Sequence, residues 1–400
     1  MTATGGAEAS RASSPLGILA TDRVVRGRNG RRGMPERNSV TLADVAKRAG
    51  VSLATASRAL NGSARTVRQD SLDRVHAAAL ELRYSANLQA QAVARGTTTT
   101  LALVVGDIAD PYFAGIAAGA IRAAGEAGLV VTITSTEGDP AREASVLGVV
   151  SGLRPRAVVL ALSRRLGASD EVAAAVSGLV AAGAGVSALV SDLVGADPVG
   201  ADPVGADLVG ADPDAEGVEG VRGVQPLVIR NRSGAAALAG ALVEQGHESF
   251  ALLAGDPQLV TARARVDGFV AGLAAHGVGV PDGAIVPSEF SRDGGYRAMS
   301  SLLDAAAAGG PALPRCVFAV TDLMAVGALA AIRDRGLVPG ADVGVAGFDD
   351  VRMLADVVPA LSTVRLPLEE IGARAVRRAL GVETDGAVDG EVVLRASTAR

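Results

Sequence analysis

The stretch "VTLADVAKRAGVSLATASRALNG", residues 40–62, decides how this chain is read. Leu42, Val45, Ala46 and Ala49 recur at helical spacing, with Thr41 as the cap. Gly50 ends that helix, Val51 is expected as a buried turn residue, and Ser52 caps a second helix over 53–60. The second helix holds one charge, Arg58, and no aromatic. Two helices joined by a glycine turn at this length form a helix-turn-helix. The second helix of that motif enters the DNA major groove, so its outer face must be short, polar and cationic. On this reading Leu53, Ala54 and Arg58 face the bases. Thr55 and Ser57 face phosphates or neighbouring turns, and Asn61 and Arg65 lie near the DNA backbone. The bare pattern also fits an ordinary αα-hairpin.

Charge favours the first reading. The net charge is −5 over 400 residues. Residues 1–100 carry 15 Lys/Arg against 7 Asp/Glu, whereas residues 101–400 carry 23 against 36. A basic head on an acidic body is the asymmetry expected when one end meets a polyanion. Residues 1–38, rich in Gly, Ser and Arg without periodicity, are expected to be a disordered basic tail.

The helix-turn-helix domain is expected over residues 39–84, with a third helix through Leu72, Val75, Ala79 and Leu82 ending near Tyr84. A linker, "SANLQAQAVARG", falls within 85–98 and can form a short helix. From residue 99 the pattern changes to short apolar runs alternating with amphipathic helices. Strands are expected at 101–105, 130–134, 157–160, 185–190, 227–229, 250–253, 284–286, 316–320 and 343–346. Helices between most of them mean βαβ units, and that many strands suit two doubly wound parallel lobes better than one sheet. The core must be built from Ala, Val, Leu and Ile, because aromatics make up only 2 % of the chain. Residues 194–214 interrupt this pattern with a five-residue repeat that places Asp197, Asp202, Asp207 and Asp212 in phase. Four copies are too few to bury a core, and the segment reads as a low-complexity surface loop.

These motifs together resemble the lactose- and galactose-repressor (LacI/GalR) family of bacterial transcriptional regulators. "VTLADVAKRAGVSLATASRALNG" is followed by "VRQDSLDRVHAAALELRY" and then by two βαβ lobes. The body adds "DPYF" (110–113), "RVDGF" (265–269), "TDLMAVGAL" (321–329), "GFDD" (347–350), "LSTVRLPLEEIG" (361–372) and "LRAST" (394–398). The resemblance implies a homodimer that binds a pseudo-palindromic operator in double-stranded DNA. It also implies a periplasmic-binding-protein-like body that closes over a small effector, a sugar or related polyol, between its lobes. Thr41, Ser52 and Asn87 join the expected DNA-facing set, and Val93 takes the place of the leucine that the family's paired hinge helices wedge into the minor groove. Tyr112 and Phe113 are expected on the first-lobe wall of the pocket, and Arg263, Arg265, Thr321, Asp322 and Asp349 on the second. The chain departs from the family at Thr321, where Asn is usual, and at Arg230, where Asp is usual. In the linker it departs at Ala86, Gln91 and Val93, where Pro, Arg and Leu are usual.

Other classes fit less well. His76, His247 and His276 are isolated, and no metal-ligand spacing, phosphate loop or nucleophile elbow stands beside them. Neither catalysis, nor a cofactor, nor a metal is therefore expected. A solute-binding protein of the periplasmic sugar-binding type would explain the body but not the basic three-helix head. The longest apolar piece of the N-terminus, "PLGILA", is too short for a signal-peptide core, and no run reaches the ~18 apolar residues of a membrane span. A cytoplasmic protein without a membrane partner is expected. Cys316, the single cysteine, fits a reducing compartment and a buried thiol.

Overall fold

The computed structural model describes residues 40–60, 67–85, 98–162, 169–191, 221–281, 283–383 and 386–400. The expected basic tail, the linker from residue 86 on and the five-residue repeat lie outside the described residues. The chain divides into two compact units, Met1–Ala86 and Asn87–Arg400.

The first unit packs three helices, α1 (Leu42–Ala49), α2 (Leu53–Leu60) and α3 (Gln69–Glu81). Thr41 and Asp44 form a capping box at the start of α1, and Gly50 ends the helix in the left-handed conformation at φ 66°. Ser52 Oγ accepts the Thr55 N–H at 3.1 Å and so caps α2. The core between the helices is small: Val45, Ala46, Ala49, Ala56, Ala59, Val75 and Ala78. Alanine at the crossings lets short helices approach closely. Val51 is half-buried against this core rather than fully enclosed.

The second unit begins with five parallel strands, β1 (Thr100–Val105), β2 (Val130–Ser135), β3 (Ala157–Ala161), β4 (Gly185–Ser191) and β5 (Val224–Ile229), in the order β2-β1-β3-β4-β5. Between them run α4 (Pro111–Glu126), α5 (Pro140–Gly152) and α6 (Asp170–Ala181). A second parallel sheet, in the order β7-β6-β8-β9, is made by β6 (Phe250–Gly255), β7 (Ile285–Pro287), β8 (Cys316–Ala319) and β9 (Gly344–Ala346). Its helices are α7 (Asn231–Glu244), α8 (Val260–Ala275), α9 (Arg292–Ala307) and α10 (Asp322–Asp334). Each expected strand is present, within one to three residues at its ends. Two more are three residues long, β10 (Thr363–Arg365) and β11 (Glu391–Val393), and pair antiparallel. Between these two, α11 (Leu368–Ala379) packs back on the first sheet and on α4.

Both faces of the central strands are buried, which is why they read as unbroken apolar runs. With few aromatics, helices pack by close backbone approach. A methyl group at Gly119 would overlap the Glu369 carbonyl, and one at Gly372 would overlap that of Ile116. Three of the few aromatics stack in the second lobe, where the Phe269 and Phe318 rings lie 4.3 Å apart and Phe250 meets Phe269 edge-on. Cys316 lies inside this core, and burial pushes its thiol up to about 12.

Candidate functional site

The N-terminal unit presents the N-terminal half of α2 to solvent. Leu53 is 54 % exposed, a large apolar side chain left in water at the start of the helix. Ala54 and Arg58 are exposed beside it, while Thr55 and Ser57 are half-buried. Arg58 folds back along its helix, where Nε donates to the Ala54 carbonyl at 3.1 Å. Ser52 and Thr55 share a hydroxyl hydrogen bond of 2.8 Å. The Thr41 hydroxyl donates to Asp44 at 2.7 Å, and together with the Thr41 N–H holds that carboxyl below its ordinary range. Asn61, Arg65, Asn87 and Val93, the rest of the expected DNA-facing set, lie outside the described residues.

The second unit holds a cleft where the carboxyl ends of its parallel strands converge. In open parallel sheets this is where ligands bind, because loops diverge there and helices begin. Tyr112 and Phe113 follow β1 in the first turn of α4, their rings edge-on at 5.1 Å. Asp110 caps that helix through the Tyr112 N–H at 2.9 Å. Leu162 follows β3, Leu189 and Ser191 close β4, and Asn231 opens α7 just after β5. The opposite side carries Thr261, Arg265, Phe290 and Asp349.

Arg265 is the centre of the polar wall. Its Nη2 donates to Asp349 Oδ1 at 2.7 Å, and Nη1 donates to Asp349 Oδ2 at 3.3 Å and to the Val320 carbonyl at 2.7 Å. Nε donates to Asn231 Oδ1 at 2.9 Å, and Asn231 Nδ2 donates onward to Ser191 Oγ at 2.8 Å. The guanidinium also lies over the Phe348 ring, 4.0 Å from its centre. Burial pushes the Asp349 carboxyl upward while the guanidinium pulls it back. Burial likewise raises Asp110 and the Tyr112 phenol.

Of the residues expected around the effector, the cleft is lined by Tyr112, Phe113, Arg265 and Asp349. Arg263 is exposed and does not line it, because two residues along a helix from Arg265 is the opposite face. Thr321 and Asp322 are buried behind the wall instead of lining it. Thr321 caps α10 through the Met324 N–H at 3.2 Å, and Asp322 binds the 347–351 loop and Thr363. Sequence reasoning passed over Asp110, Ser191 and Asn231 as pocket residues. The signal for them was position, since each stands at or just past the carboxyl end of a parallel strand. Thr261 shared the helical face of Arg265 at i−4. Phe290 carried no local signal. Among the described residues, no group of three or more His, Cys, Asp or Glu is placed to hold a metal ion. No helix among them is long and apolar enough to cross a membrane.

Comparison with known proteins follows the division into two units. Residues 41–87 match the bacterial regulatory proteins of the lacI family, and residues 239–399 match the periplasmic binding protein-like domain. The chain is similar to the HTH-type transcriptional regulator GalR of Escherichia coli K12, 28 % identical over 86 % of this chain and 89 % of GalR. It is 27 % identical to the regulator DegA of Bacillus subtilis 168, over 85 % of this chain and 90 % of DegA. Among solved structures, the lac repressor dimer bound to operator and the anti-inducer ONPF aligns with a TM-score of 0.71 at 25 % identity, covering 90 % of this chain and 99 % of that one. A complex of the transcriptional regulator CelR with cellobiose aligns with a TM-score of 0.58 at 26 % identity over the same shares.

Proposed function

The chain belongs to the lacI family of bacterial regulatory proteins, and on that premise we propose that it is a sequence-specific DNA-binding transcriptional repressor. It acts in the cytoplasm as a homodimer on a pseudo-palindromic operator, since one short helix reads too few bases for genomic specificity. A small effector in the cleft of the second unit controls it. The observation that carries this reading is the exposed start of α2, where Leu53, Ala54 and Arg58 stand together on a helix capped by Ser52. A solute-binding protein has no use for such a unit.

The chemistry of the cleft supports an uncharged polyol as effector. Arg265 is the one cation among the described lining residues, and its hydrogen bonds go to Asp349, Asn231 and Val320. An anionic ligand would meet the Asp110 carboxyl without a cation to balance it. Hydroxyls suit Asp110, Ser191, Thr261 and the rim of the Arg265–Asp349 pair, while Tyr112, Phe113 and Phe290 offer apolar faces to ring carbons. CelR, a structural neighbour bound to cellobiose, carries a ligand of this kind.

Selection from a pool of randomised duplexes with the full chain tests the reading. A two-fold-related pair of half-sites should emerge and be lost with Arg58→Ala. Enrichment of no sequence, or of one isolated half-site bound by a monomer, would overturn it. A thermal-shift screen of neutral sugars against sugar phosphates tests the effector class, since a ligand at ~100 times Kd adds about 2.7 kcal/mol of stability.

A further inference from the structure

Asp349 reaches the cleft from a loop that needs holding. Its backbone stands at φ 116° and that of Asp350 at φ 52°, conformations rare outside glycine and sustained only when surrounding structure over-determines them. Part of the hold is evident: the Asp349 N–H donates to the Val364 carbonyl at 2.8 Å, and Asp350 is gripped by Arg365 and Arg395 at 2.7 Å each. Ser362, Thr363 and Leu366 add hydrogen bonds to the backbone of the same loop, and a further hold comes from Asp322, which does not line the cleft. Its own N–H donates to the Phe348 carbonyl at 2.9 Å, and its Oδ2 accepts the Val351 N–H at 2.9 Å. Asp322 therefore grips the loop on both sides of Asp349. Its Oδ1 accepts the Thr363 hydroxyl at 2.6 Å, which anchors the grip to β10. The loop fits this closely enough that a methyl group at Gly347 would collide with Asp322 Oδ1.

We propose that Asp322 is a positioning residue for the ligand clamp, holding the 347–351 loop at both ends so that Asp349 stays locked on Arg265. This rests on the reading of the cleft as the effector site.

The charged groups around Asp322 are Asp349 and Asp350, which oppose its ionisation, and Arg265 and Arg395, which favour it. Burial dominates and brings its carboxyl up to about 7. When protonated, its proton can lie along the 2.6 Å bond to Thr363 Oγ1, so the tie to the loop persists. Titration in the neutral range thus changes the charge behind Asp349 while leaving the tie in place. A structural residue elsewhere in the core would lack that signature.

The experiment follows amide hydrogen exchange of residues 344–354 in the full chain, without DNA or sugar, at pH 6 and pH 8. Asp322→Ala removes the tie and should speed exchange at 349–351 about tenfold, the worth of one charge-assisted hydrogen bond. Asp322→Asn keeps an acceptor for Val351 and a partner for Thr363 and should stay close to wild type. A double-mutant cycle of Asp322→Asn with Asp349→Asn, read in thermal unfolding, should give a coupling that is larger at pH 8 than at pH 6. Unchanged exchange in Asp322→Ala, or a coupling of zero at both pH values, overturns the proposal. If the alanine variant does not fold, Thr363→Val, which removes the anchor of the grip, takes its place in the exchange measurement. Since neither DNA nor effector enters the measurement, its failure is separate from a failure of the repressor reading.

Discussion

Arg265 Nη2 lies 2.7 Å from Asp349 Oδ1, joining two buried opposite charges 84 residues apart in the chain. Removing one member of such a pair leaves the other in low dielectric without compensation, at a cost of about 3–5 kcal/mol. Arg265→Met should therefore destabilise the body by about that amount. Asp349→Gly removes the opposing charge and relieves a backbone at φ 116°, so it should cost less. The double substitution should be more stable than Arg265→Met alone. Urea unfolding of the three variants decides it, and strictly additive losses would show that the two residues do not act as a pair.

The crossing of α4 and α11 gives a second prediction. Gly119 touches the Glu369 carbonyl so closely that a methyl group has no room, and both partners are backbone and cannot step aside by changing rotamer. Gly119→Ala raises intrinsic helix propensity by up to about 1 kcal/mol. Overpacking costs about 1–3 kcal/mol or more, so the net effect should be a lower melting temperature. Gly125, on the same helix with open space around it, is the control and should gain stability as Gly125→Ala.

His247 makes stability depend on pH. Its ring is buried, with Nε2 3.0 Å from the Thr398 carbonyl and Nδ1 without a hydrogen-bond partner among the described residues. Burial, helped by the charge of Arg400, lowers its pKa below the ordinary value. Below about pH 6.5 the unfolded chain takes up a proton that the folded chain refuses, so stability contributed by His247 is present above that pH and lost as pH falls. Asp322, raised by burial, contributes the opposite slope between its ordinary range and about 7. The measurement is thus the difference in melting temperature between wild type and His247→Gln, taken from pH 5 to pH 8. The wild type should lose ground to the variant on the acid side only.

What was legible from sequence, and what was not, has a physical basis. The central strands could be read because burial on both faces leaves apolar runs bounded by turns, while the edge strands β2 and β7, partly exposed, showed only through their Val and Ile content. β10 and β11, "TVR" and "EVV", have three residues each, too few for a period, and pair residues 26 or more positions apart in the chain. Around the cleft, Tyr112, Phe113, Arg265 and Asp349 stood in recognisable motifs. Arg263 stands two residues before the motif that opens at Arg265 and lies on another helical face. Thr321 and Asp322 opened a helix whose start is buried behind the wall, and burial of a helix terminus depends on what packs over it. Asn231 and Ser191 became visible only once β4 and β5 were seen to end side by side.

Leu53 and Ala54 are exposed at the start of α2, where a recognition helix meets base edges. Small apolar side chains there make contact with a thymine methyl and have no hydrogen bond to offer, so they discriminate by shape and are replaceable without loss of fold. Arg58 stands one turn further on and can reach phosphate or guanine once its bond to the Ala54 carbonyl is released. Exchanging Leu53 and Ala54 for polar residues should change the preferred half-site while leaving the salt dependence of binding as it was. Arg58→Ala should weaken binding by about 1–3 kcal/mol if it reads a base, and reduce the salt slope by about one ion if it meets a phosphate. Selection on randomised DNA at one fixed salt concentration, then titration at several, separates these outcomes. An unchanged preferred sequence in the Leu53/Ala54 double variant would show that α2 docks by another face.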